Sequence, residues 1–119
     1  MKPLLLTIGL LISLDSFCQK YIVGLEKMAS HFKNIEGQII VTDSTVTTTF
    51  DGQSTTLKIT SRKGYTIHVM DGDSEARYVV GHTKGRLHGF TYDCSITYHH
   101  ARHHQTIPKA VFYCAVKRD

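Results

Sequence analysis

The chain carries only two prolines in 119 residues, Pro3 and Pro108. No proline-rich linker, low-complexity tract or internal repeat divides it, so it reads as one folding unit. Cysteine is equally scarce, with Cys18, Cys94 and Cys114 the full complement. The one sustained apolar run, Leu4 to Leu14, is broken by Thr7, Gly9 and Ser13. It falls well short of the roughly 20 residues that a membrane-spanning helix needs. Catalytic signatures are missing too. There is no Gly-x-Ser-x-Gly elbow, His-Glu-x-x-His pair, phosphate loop or dinucleotide fingerprint. The chain therefore reads as non-enzymatic. Basic residues outnumber acidic ones, 14 to 10, for a net charge of +4. They are scattered, with only Arg62-Lys63 and Lys117-Arg118 adjacent. A nucleic-acid binder concentrates such charge on one face, and this chain does not.

What is present begins with the first eighteen residues. Lys2, the apolar run and the short Ser16-Phe17-Cys18 stretch have the layout of a secretory signal peptide ending at Cys18. Cleavage there leaves a single domain, 19–119, starting at Gln19, in a secreted or periplasmic setting. Lys2 and Asp15 leave together, so the net charge is unchanged. Two alternatives compete. Lipidation would retain Cys18 as an acylated first residue, but it favours Leu and small residues before the cysteine. Asp15, Ser16 and Phe17 stand there instead. An uncleaved anchor is opposed by Asp15, which closes the apolar run early.

From Ile35 onward the pattern alternates with period two. Ile39 and Val41 share one parity; Val46, Thr48 and Phe50 another; then come Leu57 and Ile59, and Tyr65, Ile67 and Val69. Runs of this kind, rich in Thr, Val, Ile and Tyr, are half-buried strands. Asp43-Ser44, Asp51-Gly52, Lys63-Gly64, Asp71-Gly72-Asp73 and Lys84-Gly85 separate them with turn chemistry. Such short connections predict an all-β domain, a single small antiparallel meander of about six to eight strands, either a barrel or a two-layer sandwich. Tyr21 to Phe32 fits a first strand followed by a short helical turn, with Gly24 weakening a longer helix. His88 beside Gly89 reads as a bulge in a long Arg86–Tyr98 segment. Asp71-Gly72-Asp73 lacks the spacing of a calcium loop and reads as a turn.

Signal removal leaves two cysteines, and an even pair in an exported chain predicts a Cys94–Cys114 disulfide. Placing them opposite each other pairs Ile96 with Phe112, Tyr98 with Ala110 and Tyr92 with Val116, all apolar or aromatic. Asp93, Ser95, Thr97 and Lys117 fall on the other face, with Tyr113 and Ala115. A one-residue slip would break that agreement. In the chain-entropy model such a bridge contributes about 3 kcal/mol.

The same register sends His99, His100, His103 and His104 toward the hairpin tip. Four imidazoles in six residues make a candidate Zn or Cu site, opposed by Arg102 and by the want of a neighbouring carboxylate in sequence. No other cofactor is implied. Two functional expectations follow. One is an exported binding module for a protein, a glycan or a small molecule, the last if a barrel encloses a cavity. The other is metal capture by the His-rich tip.

Overall fold

The computed structural model describes residues 18–101 and 107–116. The signal-peptide reading of the leader falls on residues 1–17, outside the described residues, and Cys18 is the exposed first residue of the first strand. Ten strands occur among the described residues: β1 (Cys18–Met28), β2 (His31–Thr42), β3 (Thr45–Phe50), β4 (Gln53–Lys63), β5 (Thr66–Asp71), β6 (Ser74–Gly81), β7 (Gly85–Leu87), β8 (Phe90–Tyr92), β9 (Cys94–His100) and β10 (Ala110–Val116). Eight of them close a barrel in the order β1-β10-β9-β6-β5-β4-β3-β2, and β7 and β8 form a separate hairpin. All pairings are antiparallel, and the first strand meets the last, with Tyr21 opposite Val116. The fold is all-β, and of the two architectures expected it is the barrel.

Turn chemistry explains the short connections. Asp51 and Gly52 both take positive φ, 53° and 80°, the conformation that lets a two-residue turn follow the twist of its strands. Gly64 and Gly72 do the same at the first turn position, with φ of 60° and 67°. Inward positions follow the alternation. Val23, Ile39, Val41, Val46, Ile67, Val69, Val80, Ile96 and Phe112 are buried in one cluster with Tyr21, Tyr78 and Tyr98. Outside, hydroxyls pair across strands: Thr47 with Thr56 at 3.0 Å and Thr49 with Ser54 at 2.8 Å. An apolar interior with a polar outer wall is the reverse of a lipid-facing barrel. Among the described residues no helix is long and apolar enough to cross a membrane.

Three local expectations are corrected. No helical turn lies between Tyr21 and Phe32. β1 runs to Met28 and turns through Ala29 (φ 56°) directly into β2, because ladder bonds to both neighbouring strands outweigh the weak helical pattern. His88 and Gly89 are not a bulge. With φ of 48° and 82° they form the two-residue turn of the β7–β8 hairpin. Tyr92 consequently pairs with Gly85 rather than Val116. The remaining register of β9 and β10 is as expected, with Cys94 opposite Cys114, Ile96 opposite Phe112 and Tyr98 opposite Ala110.

The disulfide is the fourth correction. Both cysteines are fully buried (0 %) and are free thiols. Cys114 Sγ lies 3.4 Å from the Phe112 carbonyl oxygen and Cys94 Sγ 4.0 Å from that of Ser95. The sulfurs are thus oriented as hydrogen-bonding groups instead of being joined, so no cross-link contributes to the stability of this state.

The β7–β8 hairpin is packed against the outside of the barrel. A register shift at Gly24 places two β1 residues against one of β10, so that Leu25 lies opposite Tyr113 and Asn34. Directly opposed residues share a face. Leu25 therefore turns outward with Tyr113, although it is completely buried. The Phe90 ring lies so close over Gly24 that an added Cβ would come within 2.2 Å of it. Around them Phe32 stacks on His88 at 4.5 Å, Tyr92 meets Tyr113 at 4.8 Å, and Asn34 Nδ2 donates to the His88 carbonyl at 3.3 Å. This is a second, smaller apolar cluster, built on a bulge.

Candidate functional site

The two ends of the barrel differ in chemistry. At the end where β3 finishes and β10 starts, aromatic rings fill the bore. Phe50 stacks on Phe112 at 5.2 Å, and Tyr78 packs on Tyr98 at 4.9 Å. The Tyr98 hydroxyl donates to Asp71 Oδ2 at 2.6 Å, and Lys109 Nζ sits 5.8 Å from the Tyr98 ring centroid. Burial, then the Asp71 carboxylate, holds both phenols well above their ordinary range. Among the described residues, these rings plug this end.

At the opposite end the strands open onto a cup of about 350 Å³. Tyr21, Val41, Ile67 and Val80 form its apolar floor, and Gln19, Arg62, Tyr65 and His82 stand around the rim. The Tyr65 ring meets His82 edge-on at 4.8 Å and is itself 66 % exposed. Arg62 reaches this face through another irregularity. Regular alternation after Leu57 and Ile59 would turn Ser61 inward. A register shift between Ile59 and Ser61 puts Arg62 opposite buried Ile67 instead, and Ser61 opposite His68. The Arg62 guanidinium is thereby placed on the same face as the apolar floor.

The electrostatics of the floor are centred on Tyr21. Burial pushes its phenol up to about 12, the Cys94 and Cys114 thiols beneath add to the shift, and Arg62 opposes it. For an acid whose native value is raised, the unfolded chain loses its proton first. The stability contributed is complete below about pH 10, the ordinary tyrosine range, and declines as pH rises toward the native value of about 12. Chemical denaturation at a series of alkaline pH values should show this fall in the wild type. It should be shallower in Tyr21→Phe, and equal slopes would remove Tyr21 as a source.

Of the histidines foreseen as a metal site, His99 and His100 turn to opposite faces of one strand. They are not in a loop but are the last two residues of β9, and successive strand residues face opposite ways. His99 stands opposite Arg77 on the outer wall. His100 turns inward, with its Nε2 3.8 Å from Asp71 Oδ2, a carboxylate distant in sequence. The other two histidines of that reading, His103 and His104, lie outside the described residues. Among the described residues no group of three His, Cys, Asp or Glu side chains converges as a metal site. Alternation does not anticipate Arg62 or Leu25, because a bulge resets parity in each case and bulges have no strong sequence signature. Gly24 was the one visible cue, as glycine inside a strand marks a bulge or a close approach. No protein-family model, curated protein or solved structure matches the chain.

Proposed function

We propose that the protein is a non-enzymatic, extracytoplasmic binding module. In this reading it seats a small amphipathic ligand bearing one anionic group in the open end of its barrel. The observation that carries it is the pairing of the cup's apolar floor with inward-turned Arg62 at its rim. A volume of about 350 Å³ lies at the small end of the range for ligand pockets, and barrel mouths are a recurrent place for them. The floor removes an apolar tail from water, while Arg62 offers a forked cation to a carboxylate or similar head. His82 and Gln19 supply further polar partners at the rim. The outer-wall hollow lined by His68, Asp73, Ser74, Glu75, Ala76, Arg77 and Ala101 offers charge of both signs, and its apolar residues are alanines only.

Calorimetry with dodecanoate, dodecanol and dodecylamine tests the reading directly. The carboxylate should bind best and the amine least. Arg62→Ala should weaken dodecanoate by about tenfold or more, since a hydrogen bond to a charged group contributes about 1.5–3 kcal/mol. Val80→Trp should block all three ligands by filling the floor. Equal affinity for the three head groups, or indifference to both substitutions, would defeat the proposal.

A further inference from the structure

Cys94 and Cys114 are buried reactive groups that the ligand cup leaves unused. They stand directly opposite each other on β9 and β10, each completely buried and each turned into the bore. The Cys114 sulfur lies 3.4 Å from the Phe112 carbonyl oxygen, and the two cysteines act on each other electrostatically. We infer that this pair is a two-coordinate site for a soft monovalent cation of the copper(I) class, held between the two sulfurs.

Four observations support the assignment. Thiolate sulfur selects soft ions, whereas carboxylates and carbonyls select hard ones. Opposed strand positions hold their Cβ atoms about 4.5–5.5 Å apart, which suits one ion bridging the two sulfurs in a near-linear unit. Among the described residues no third His, Cys, Asp or Glu joins the pair, and a structural zinc site would require four ligands. The surroundings are dry and apolar: Val23 lies opposite Cys114, and Ile96 is the next inward residue on β9.

Access and charge are provided by the same end of the barrel. Tyr21, part of the cup floor, is the inward residue before Val23 on β1, and Val23 stands opposite Cys114, so the pair lies one inward position below that floor. Hydrogen bonding from Cys114 pulls the Cys94 thiol below its ordinary range, and the same bond holds Cys114 above it. Binding replaces two S–H bonds with two sulfur–metal bonds, releases two protons and leaves a complex of charge −1. The metal is neither oxidised nor reduced. Asp93 raises both thiols, opposing that charge, while Arg62 on the cup rim is the cation acting on Tyr21 above. This inference is independent of the amphiphile reading, because both ligands lie on β9 and β10 and neither lines the cup.

The test uses the signal-free chain 19–119, fully reduced and kept under argon. Copper(I) is supplied in competition with a chromogenic chelator, with silver(I) as the redox-inert counterpart. One ion should bind per chain, with about two protons released and an ultraviolet sulfur-to-metal absorption. Cys94→Ala and Cys114→Ala should each lose that absorption and bind at least about 100-fold more weakly, since the second ligand is no longer held in place. Far-ultraviolet circular dichroism checks that the variants fold. The proton count and absorption of the wild type decide the matter even if they do not. Binding without sulfur absorption, binding unchanged in both variants, or a chain isolated two hydrogens light with the pair oxidised would overturn the site.

Discussion

Replacing Leu25 by alanine should destabilise the protein by about 2–5 kcal/mol, the range for a fully buried leucine, although Leu25 lies outside the main core. Its side chain is completely buried, yet it faces away from the bore beneath the β7–β8 hairpin. Truncation would leave a void between β1, Tyr113 and Phe90, and the hairpin is too short to collapse onto it. Strands of three residues have little independent stability and depend on what they are packed against. The melting temperature should therefore fall by at least about 8 °C. Amide exchange should accelerate at Leu87 and Phe90 before it does at Val69 or Ile96. Uniform acceleration would mean that the hairpin is not a separate unit of stability.

Phe112→Ala should cost about 3–5 kcal/mol and act globally. The Phe112 ring lies 5.2 Å from Phe50 with their planes 18° apart, and across the ladder it faces Ile96. Phe50 itself fits closely against Gly37, where an added Cβ would meet the ring at 2.2 Å and the Thr49 carbonyl oxygen at 2.6 Å. Removing Phe112 therefore takes the support from a second ring that has no other place to go. Because this end is the plugged one, ligand affinity at the open end should be unchanged once stability is allowed for. Urea denaturation at fixed temperature measures the loss, and calorimetry with dodecanoate the affinity. A loss below about 1 kcal/mol, the middle of the range for ordinary substitutions, would show that the rings do not close the bore.

How far the sequence reveals this molecule depends on where its alternation runs undisturbed. Cys94 to Tyr98 against Ala110 to Cys114 is legible because every inward position is apolar, and a slip by one would invert all of them. The Asp51-Gly52 and Asp71-Gly72 turns are legible for an equally local reason, since positive φ requires such residues. Arg62 is not legible. Its place in the mouth depends on an extra residue near Thr60, a position indistinguishable in composition from the regular strand around it. The β7–β8 hairpin is hidden for a different reason. Alternation specifies that Phe90 and Tyr92 have an apolar side, but not that they pack on the outside of the barrel. His99 and His100 show a third limit: adjacency in sequence means opposite faces in a strand, so clustering along the chain separates them in space.

The seam between β1 and β10 has a kinetic consequence. Tyr21 pairs with Val116, so the contact that closes the barrel is among the longest-range in the chain. Each preceding hairpin can form from neighbouring residues, but none of them encloses a core alone. Closure must wait for β10, when the loop-closure entropy of nearly the whole domain is overcome in one step. Folding should thus be slow and high in contact order, with the unclosed edges of β1 and β9 exposed until then. The same proximity of first and last strands makes the domain a natural candidate for circular permutation. A short tether across the seam would turn that slowest, longest-range contact into a local one.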